Sequence, residues 1–252
     1  MGKLVSIFGC GAQKGGTTSL YAHFCEHLAL SPPSRKEIHF FDDETRDWAA
    51  ADYNALDAFP PDHGDRLRFE ITPIYGFWPP SVARIHAYNP AARLIFLFRD
   101  PFERAWSHWC MEYARGDETL PFAEAIREGR GRMDALPPLA SERRTFSYVE
   151  RGLYAGQVQR ALTHFPRDQV LFLRSEDLRD DHGPTLARIA AFLGIAPFPD
   201  NGPKREMIRP AVALLSVPTE ADRALVADLV RDDMRAFAAL TGLDISSWPT
   251  ME

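Results

Sequence analysis

No run of about 20 consecutive apolar residues occurs anywhere in the chain, so the sequence contains nothing that would cross a membrane as a helix. Its first residues pass almost at once into the strand-like stretch Leu4-Val5-Ser6-Ile7-Phe8, with no long apolar segment or small-residue cleavage site of a secretory leader. Only three cysteines are present, Cys10, Cys25 and Cys110, too few and too scattered for a disulfide framework or a zinc site. Each reads more simply as a small buried apolar residue than as a catalytic thiol. A soluble chain in a reducing cytoplasm is the expectation. Positive charge is also scarce. Lys and Arg number 29 against 35 Asp and Glu, a formal net charge of -6, which argues against a broad basic face for nucleic acid and against a long polyanionic substrate. Any anion must therefore sit in a local basic pocket. Neither an internal repeat nor a low-complexity tail is present.

What is there is ordinary globular composition: 252 residues, 45% hydrophobic and 25% charged, enough for one sizeable core and one domain spanning 1–252. Four short apolar runs, Leu4–Phe8, Leu67–Ile71, Leu94–Phe98 and Val170–Leu173, lack clean alternation, as expected of parallel strands covered on both faces. Helical segments lie between them. Thr17–Leu28 follows the first run, and Asp100-Pro101-Phe102-Glu103 supplies an N-cap, a proline at the first helical position and a glutamate at the third. Tyr154, Val158, Ala161 and Phe165 recur at helical spacing, and helices near Thr185–Leu193 and Glu220–Leu240 close the chain. Pro32-Pro33, Pro60-Pro61, Pro79-Pro80 and Pro137-Pro138 read as surface loops. This alternation predicts a three-layer α/β fold around a central parallel sheet.

The most informative segment is Gly9-Cys10-Gly11-Ala12-Gln13-Lys14-Gly15-Gly16-Thr17-Thr18-Ser19, which leaves a buried strand and opens a helix. A glycine-rich turn there brings backbone N–H groups, here those of Gly15 to Thr18, against an anion, and the helix N-terminus adds a favourable dipole. Lys14 contributes a full positive charge, and Thr17, Thr18 and Ser19 contribute hydroxyls. The plainer alternative is a tight turn followed by a capped helix. A P-loop-like phosphate site accounts for more of the pattern. The nucleotide-triphosphatase signature does not fit, because the lysine precedes the paired glycines and no acidic pair for magnesium ends a later strand. Leu94–Phe98 ends instead in Arg99-Asp100-Pro101, and an arginine at that place suits an anion.

Gly11–Leu20 resembles the 5′-phosphosulfate loop of sulfotransferases that use 3′-phosphoadenosine-5′-phosphosulfate (PAPS), in particular their heparan-sulfate-sulfotransferase-like branch. Lys36-Glu37-Ile38-His39-Phe40-Phe41-Asp42 is similar to that branch's acidic active-site motif, and Phe69-Glu70-Ile71-Thr72-Pro73-Ile74-Tyr75 to its Glu-Lys-Thr-Pro-x-Tyr motif. Leu94–Trp109, with Arg99, Arg104 and Ser107, is similar to its 3′-phosphate motif, and the similarity continues through Gly152-Leu153-Tyr154 and Arg174-Ser175-Glu176-Asp177-Leu178. The resemblance implies sulfuryl transfer from PAPS, leaving PAP, to a hydroxyl or amine of a small-molecule, carrier-bound or carbohydrate acceptor, with no essential metal. It implies donor contacts from Gln13, Lys14, Gly15, Gly16, Thr17, Thr18, Ser19, Arg99, Ser107 and Tyr154, and from a basic loop holding Lys204, Arg205 and Arg209, which otherwise reads as a solvated charge cluster. Lys14 is implied at the leaving phosphate. Glu37 is the implied general base, its pKa expected to rise by burial against Phe40 and Phe41, with His39 as the rival. One departure is visible: the related motif's lysine is Ile71 here, leaving Lys36 or Arg68 to supply any second cation. An ATP-dependent kinase and a non-catalytic nucleotide-binding module are the competing readings. Trp78, Trp106 and Trp109 either line an acceptor cleft or pack, and the oligomeric state is open.

Overall fold

The structure is a computed structural model that describes residues 4–56, 59, 64–204 and 217–251. In chain order the regular elements are β1 (Val5–Gly11), α1 (Thr17–Cys25), β2 (Leu30–Ser31), β3 (Leu67–Ile71), α2 (Ser81–Tyr88), β4 (Arg93–Phe98), α3 (Pro101–Arg115), α4 (Phe122–Asp134), α5 (Arg143–Phe146), α6 (Ala155–His164), β5 (Val170–Arg174), α7 (Ser175–Asp180), α8 (His182–Leu193) and α9 (Glu220–Thr241). The described residues fall into two compact units, one within Met1–Phe98 and Gln159–Met207, the other within Arg99–Val158 and Ile208–Glu252.

The first unit holds the five strands in one parallel sheet, in the order β2-β3-β1-β4-β5. Its strands are largely apolar because both faces are covered: Leu94 through Phe98 are all at most 1% exposed. On one face, Ile7, Ile71, Ile95 and Leu97 pack with Leu20 and Phe24 of α1 and with Leu186, Ile189 and Leu193 of α8. The strand order reverses where β1 meets β4. In open α/β sheets such a reversal opens a crevice at the carboxyl ends of the strands, and ligands bind there. The turn after β1 sits at that reversal, since the Ala12 N–H donates to the Leu97 carbonyl of β4 at 2.8 Å.

The second unit is helical. Asp100 caps α3 by accepting from the Glu103 N–H at 2.9 Å with Pro101 at the first helical position, as the sequence predicts, and Gly116 ends the helix at φ 82°. The other Asp100 carboxylate oxygen accepts from the Thr250 N–H and hydroxyl at 2.9 and 2.6 Å. Val226, Val230, Met234 and Phe237 line the buried face of α9 at helical spacing. Trp106 and Trp109 are buried and stack at 5.0 Å against each other, so they pack rather than line a cleft, and Trp78 of the first unit is buried too.

Three expectations need correction. The helix predicted to reach Leu28 stops at Cys25, because His27 turns the chain toward β2, its ring accepting from the Ala29 N–H at 3.1 Å and meeting the Ala196 carbonyl at 2.8 Å. Cys25 is exposed at that helix end, whereas Cys10 and Cys110 are buried as expected. The two-residue strand β2 and helices α2, α4, α5 and α7 were not anticipated. No helix among the described residues is long and apolar enough to cross a membrane.

Candidate active site

The turn after β1 is built around glycines that cannot be replaced. A Cβ on Gly15 would lie 2.3 Å from the Leu97 carbonyl oxygen and 2.9 Å from that of Ala12, well inside contact distance. Gly16 caps α1 at φ 90°, a left-handed conformation that a side chain would strain. With no side-chain cap on α1, the N–H groups of its first turn point outward without helical partners, where the helix dipole favours an anion. The Gly15 N–H, one of the amides expected to face an anion, closes the turn onto the Ala12 carbonyl at 2.9 Å. Lys14 stands in this turn at φ 70° and is half-buried, as are Gln13, Gly16, Thr18 and Ser19, while Thr17 is buried. Ser175, the first residue of α7, joins them: its Oγ lies 3.3 Å from where a Gly16 Cβ would be.

The second group stands on the irregular segment before β3. Glu37 and His39 have φ of 59° and 57°, and with Lys14 they are the non-glycine residues at positive φ among those described. Backbone held in that region costs about 1–3 kcal/mol per residue and persists only where its surroundings impose it, most often at functional sites. The inversion turns Glu37 and His39 outward while Ile38 and Phe40 stay buried. His39 Nδ1 is 2.9 Å from Asp42 Oδ2, and His39 Nε2 is 3.7 Å from Glu37 Oε2. Lys36 Nζ pairs with the other Glu37 oxygen. Asp42 is fully buried, which fixes the ring it holds.

These contacts set the charges. Burial pushes the Glu37 carboxyl up, but His39 and Lys36 overcome it and bring it down to about 2. The expected rise of the Glu37 pKa is therefore corrected: the two cations beside the carboxylate outweigh its burial. Hydrogen bonding to Asp42 and then to Glu37 raises His39 to about 9 against the opposing effect of burial. At neutral pH the histidine is imidazolium and holds no lone pair for a proton.

In the second unit, Arg99 pairs with Glu103, one helical turn away. The Tyr154 hydroxyl donates to the Arg99 carbonyl at 2.8 Å, and Tyr154 is fully buried, so it anchors the arginine's backbone. Ser107 is half-buried on α3. Arg104, between them in sequence, is fully buried, with Nη2 on the Tyr148 carbonyl and with Nε and Nη1 lacking hydrogen-bond partners among the described residues. In the first unit Lys204 Nζ pairs with Glu26 at 2.6 Å, and Arg205 and Arg209 lie outside the described residues. Ile71 faces the apolar core beneath α1, no place for an ammonium group, and Arg68 lies over the Phe59 ring at 5.0 Å. Of the two cations, Lys36 is the one paired with Glu37. Among the described residues no group of three or more His, Cys, Asp or Glu could hold a metal ion.

Residues 6–216 match the family described as "Sulfotransferase domain". The chain belongs to that family. It is 32% identical over 189 residues to mouse heparan sulfate glucosamine 3-O-sulfotransferase 6, covering 73% of this chain and 51% of the relative. It is 28% identical over 196 residues to human bifunctional heparan sulfate N-deacetylase/N-sulfotransferase 2, covering 75% of this chain and 22% of the relative. The chain thus spans about half the length, or less, of these curated relatives. A sulfotransferase from Alicyclobacillus acidocaldarius superposes with a TM-score of 0.80 at 27% identity, covering 98% of this chain and 99% of that one.

Within this sulfotransferase domain, Asp42 and Ser175 are the site residues that sequence reasoning passed over. Both had a signal: Asp42 stands three residues beyond His39 in the same motif, and Ser175 lies in the similar segment Arg174–Leu178 at a strand end. The Gly15 contact makes a direct prediction. Gly15→Ala should destabilise the fold by about 1–3 kcal/mol, the scale of overpacking, and abolish measurable nucleotide binding at the turn. Thermal melting with and without PAP checks both effects.

Proposed function

We propose that the chain is a PAPS-dependent sulfotransferase acting on a hydroxyl of a carbohydrate or similar small polar acceptor. The observation that carries this reading is the uncapped helix N-terminus and obligate-glycine turn bearing Lys14 at the β1–β4 reversal. PAPS supplies an activated sulfuryl group on a 5′-phosphate. Lys14 and the amides from Gly16 onward would hold that phosphate and stabilise the charge that builds on it as it leaves. Arg99 and Ser107 are assigned to the 3′-phosphate, which requires Arg99 to exchange Glu103 for the ligand.

Glu37 is the base in this scheme. It is ionised at neutral pH, whereas His39 is already protonated. A carboxylate held near 2 is a weak base, and efficiency improves as its pKa approaches the working pH. The pairing with Lys36 must therefore loosen when an acceptor hydroxyl arrives. That exchange raises the basicity of Glu37 and frees Lys36 to face the sulfuryl oxygens, the part the motif's missing lysine leaves open. Protonated His39, fixed by Asp42, orients the carboxylate.

The curated relatives act, by name, on heparan sulfate and its glucosamine, which supports a sugar acceptor; the net charge of -6 favours a short or weakly charged one over a long polyanion. Labelled-sulfate transfer from PAPS to a panel of sugars, alcohols and amines tests the reading. Transfer to at least one hydroxyl supports it. Stabilisation by ATP–magnesium but not by PAP, together with no transfer, would favour a kinase.

The pH profile follows from His39. Its pKa is raised to about 9, so the protonated, orienting form is nearly complete up to about pH 8 and is lost as pH rises through about 9. Turnover is expected to be flat from about pH 6 to 8 and to fall above about 9. His39→Asn should remove that alkaline limb.

A further inference from the structure

Glu70 takes no part in the scheme above, yet it is fully buried at the end of β3. Its Oε1 accepts from the Ile38 N–H at 3.0 Å and from the Thr72 hydroxyl, and Oε2 has no hydrogen-bond partner among the described residues. Ile38 lies between Glu37 and His39, both at positive φ. A segment with strained backbone on either side of one buried residue does not hold that shape alone, and the carboxyl pins it at its centre. The Tyr75 hydroxyl oxygen adds a second anchor by accepting from the Phe40 N–H at 3.1 Å.

Both anchors belong to the stretch 70–76, which is itself tied to β1. The Thr72 N–H donates to the Gly9 carbonyl at 3.1 Å, and the Gly76 N–H to the Cys10 carbonyl at 2.7 Å. Gly9 and Cys10 lead straight into the turn that carries Lys14. A continuous line of hydrogen bonds therefore runs from the Glu37–His39 segment, through Glu70 and Tyr75, to the strand that delivers the phosphate turn.

The geometry points to Glu70 as a positioning residue that, through the Ile38 N–H, sets where the Glu37 carboxylate and the His39 ring stand relative to the phosphate turn. Its catalytic consequence rests on Glu37 being the base; the positioning itself does not. Burial pushes the Glu70 carboxyl up to about 7 against the two hydrogen bonds it accepts from Thr72 and Ile38. Glutamine retains an acceptor oxygen at the same reach. Leucine fills the volume without one, and aspartate keeps the acid but withdraws it by one methylene.

The test compares the full chain with Glu70→Leu, Glu70→Gln and Glu70→Asp, measuring kcat, KM, PAP affinity by calorimetry and the His39 ring titration by NMR. The groups facing that ring are Glu37 and Asp42, with Lys36 on Glu37, and Glu70 itself acts on it electrostatically, a contribution that Glu70→Gln removes as Glu70→Leu does. Glu70→Leu should lower kcat by about 10- to 100-fold, as expected of a displacement near 1 Å, with PAP affinity within about threefold of the parent. Its His39 midpoint should fall from about 9 toward 6.5 as Glu37 moves off the ring. Glu70→Gln should recover most of both. If the leucine variant does not fold, Glu70→Asp should show the same shifts. A His39 midpoint unchanged in the folded leucine or aspartate variant, a glutamine variant as impaired as leucine, or kcat and PAP affinity falling together would overturn the assignment. If only the base reading is wrong, Glu37→Gln turns over normally while the His39 shift in Glu70→Leu persists.

Discussion

Replacing Glu37 by glutamine is expected to lower kcat by about 10²- to 10⁴-fold, the range over which a positioned proton acceptor contributes, while PAP affinity stays within about twofold of the parent. The substitution is nearly isosteric. It removes the negative charge that Lys36 and His39 both face, so it tests chemistry rather than packing. His39 should respond as well. Its pKa should fall below about 9 but stay above 6.5, because the hydrogen bond to buried Asp42 is the first cause of its elevation and survives. Rapid-mix turnover and calorimetric PAP binding separate the two effects. Normal turnover in Glu37→Gln would remove the base assignment and leave the donor-binding account standing.

Lys14→Ala is expected to lower turnover by about 10²- to 10³-fold, the scale of losing one preorganised charge contact to a transition state. A second substitution sharpens the argument. Lysine at φ 70° is strained and glycine there is not, so Lys14→Gly should be at least as stable as the parent while being as inactive as the alanine variant. A residue kept in an unfavourable conformation for its ammonium group predicts that trade; a residue kept for packing predicts the reverse. Thermal melting and single-turnover sulfate transfer on the two variants decide between them.

The fold was largely legible because its signals are local. Leu67–Ile71 reads as a buried apolar run and is β3 to the residue, and Asp100-Pro101-Phe102-Glu103 is the start of α3. Tyr154, Val158, Ala161 and Phe165 line a buried helix face at the spacing the sequence shows. Elements without such a pattern were missed. β2 is two residues long, and α4 contains Gly129 and Gly131 among six charged residues, a composition that reads as loop although Phe122, Ile126 and Met133 are buried at helical spacing. The glycine turn after β1 was legible because steric demand for glycine shows directly in the letters. The state of the acidic segment was not. The sign of the Glu37 shift depends on how backbone at positive φ brings Lys36 and His39 to the carboxylate, and Ile38 finds Glu70 across 32 residues of sequence. Neither can be read from the segment itself.

The claim on which the account turns is that the Lys14 turn grips the 5′-phosphate of a doubly phosphorylated adenosine. A crystal structure of the chain with PAP tests it most directly. The account predicts the 5′-phosphate on the amides from Gly16 onward, with the Lys14 ammonium on its oxygens and Arg99 turned from Glu103 to the 3′-phosphate. A PAP molecule bound elsewhere, with the turn empty and Arg99 still on Glu103, would contradict it.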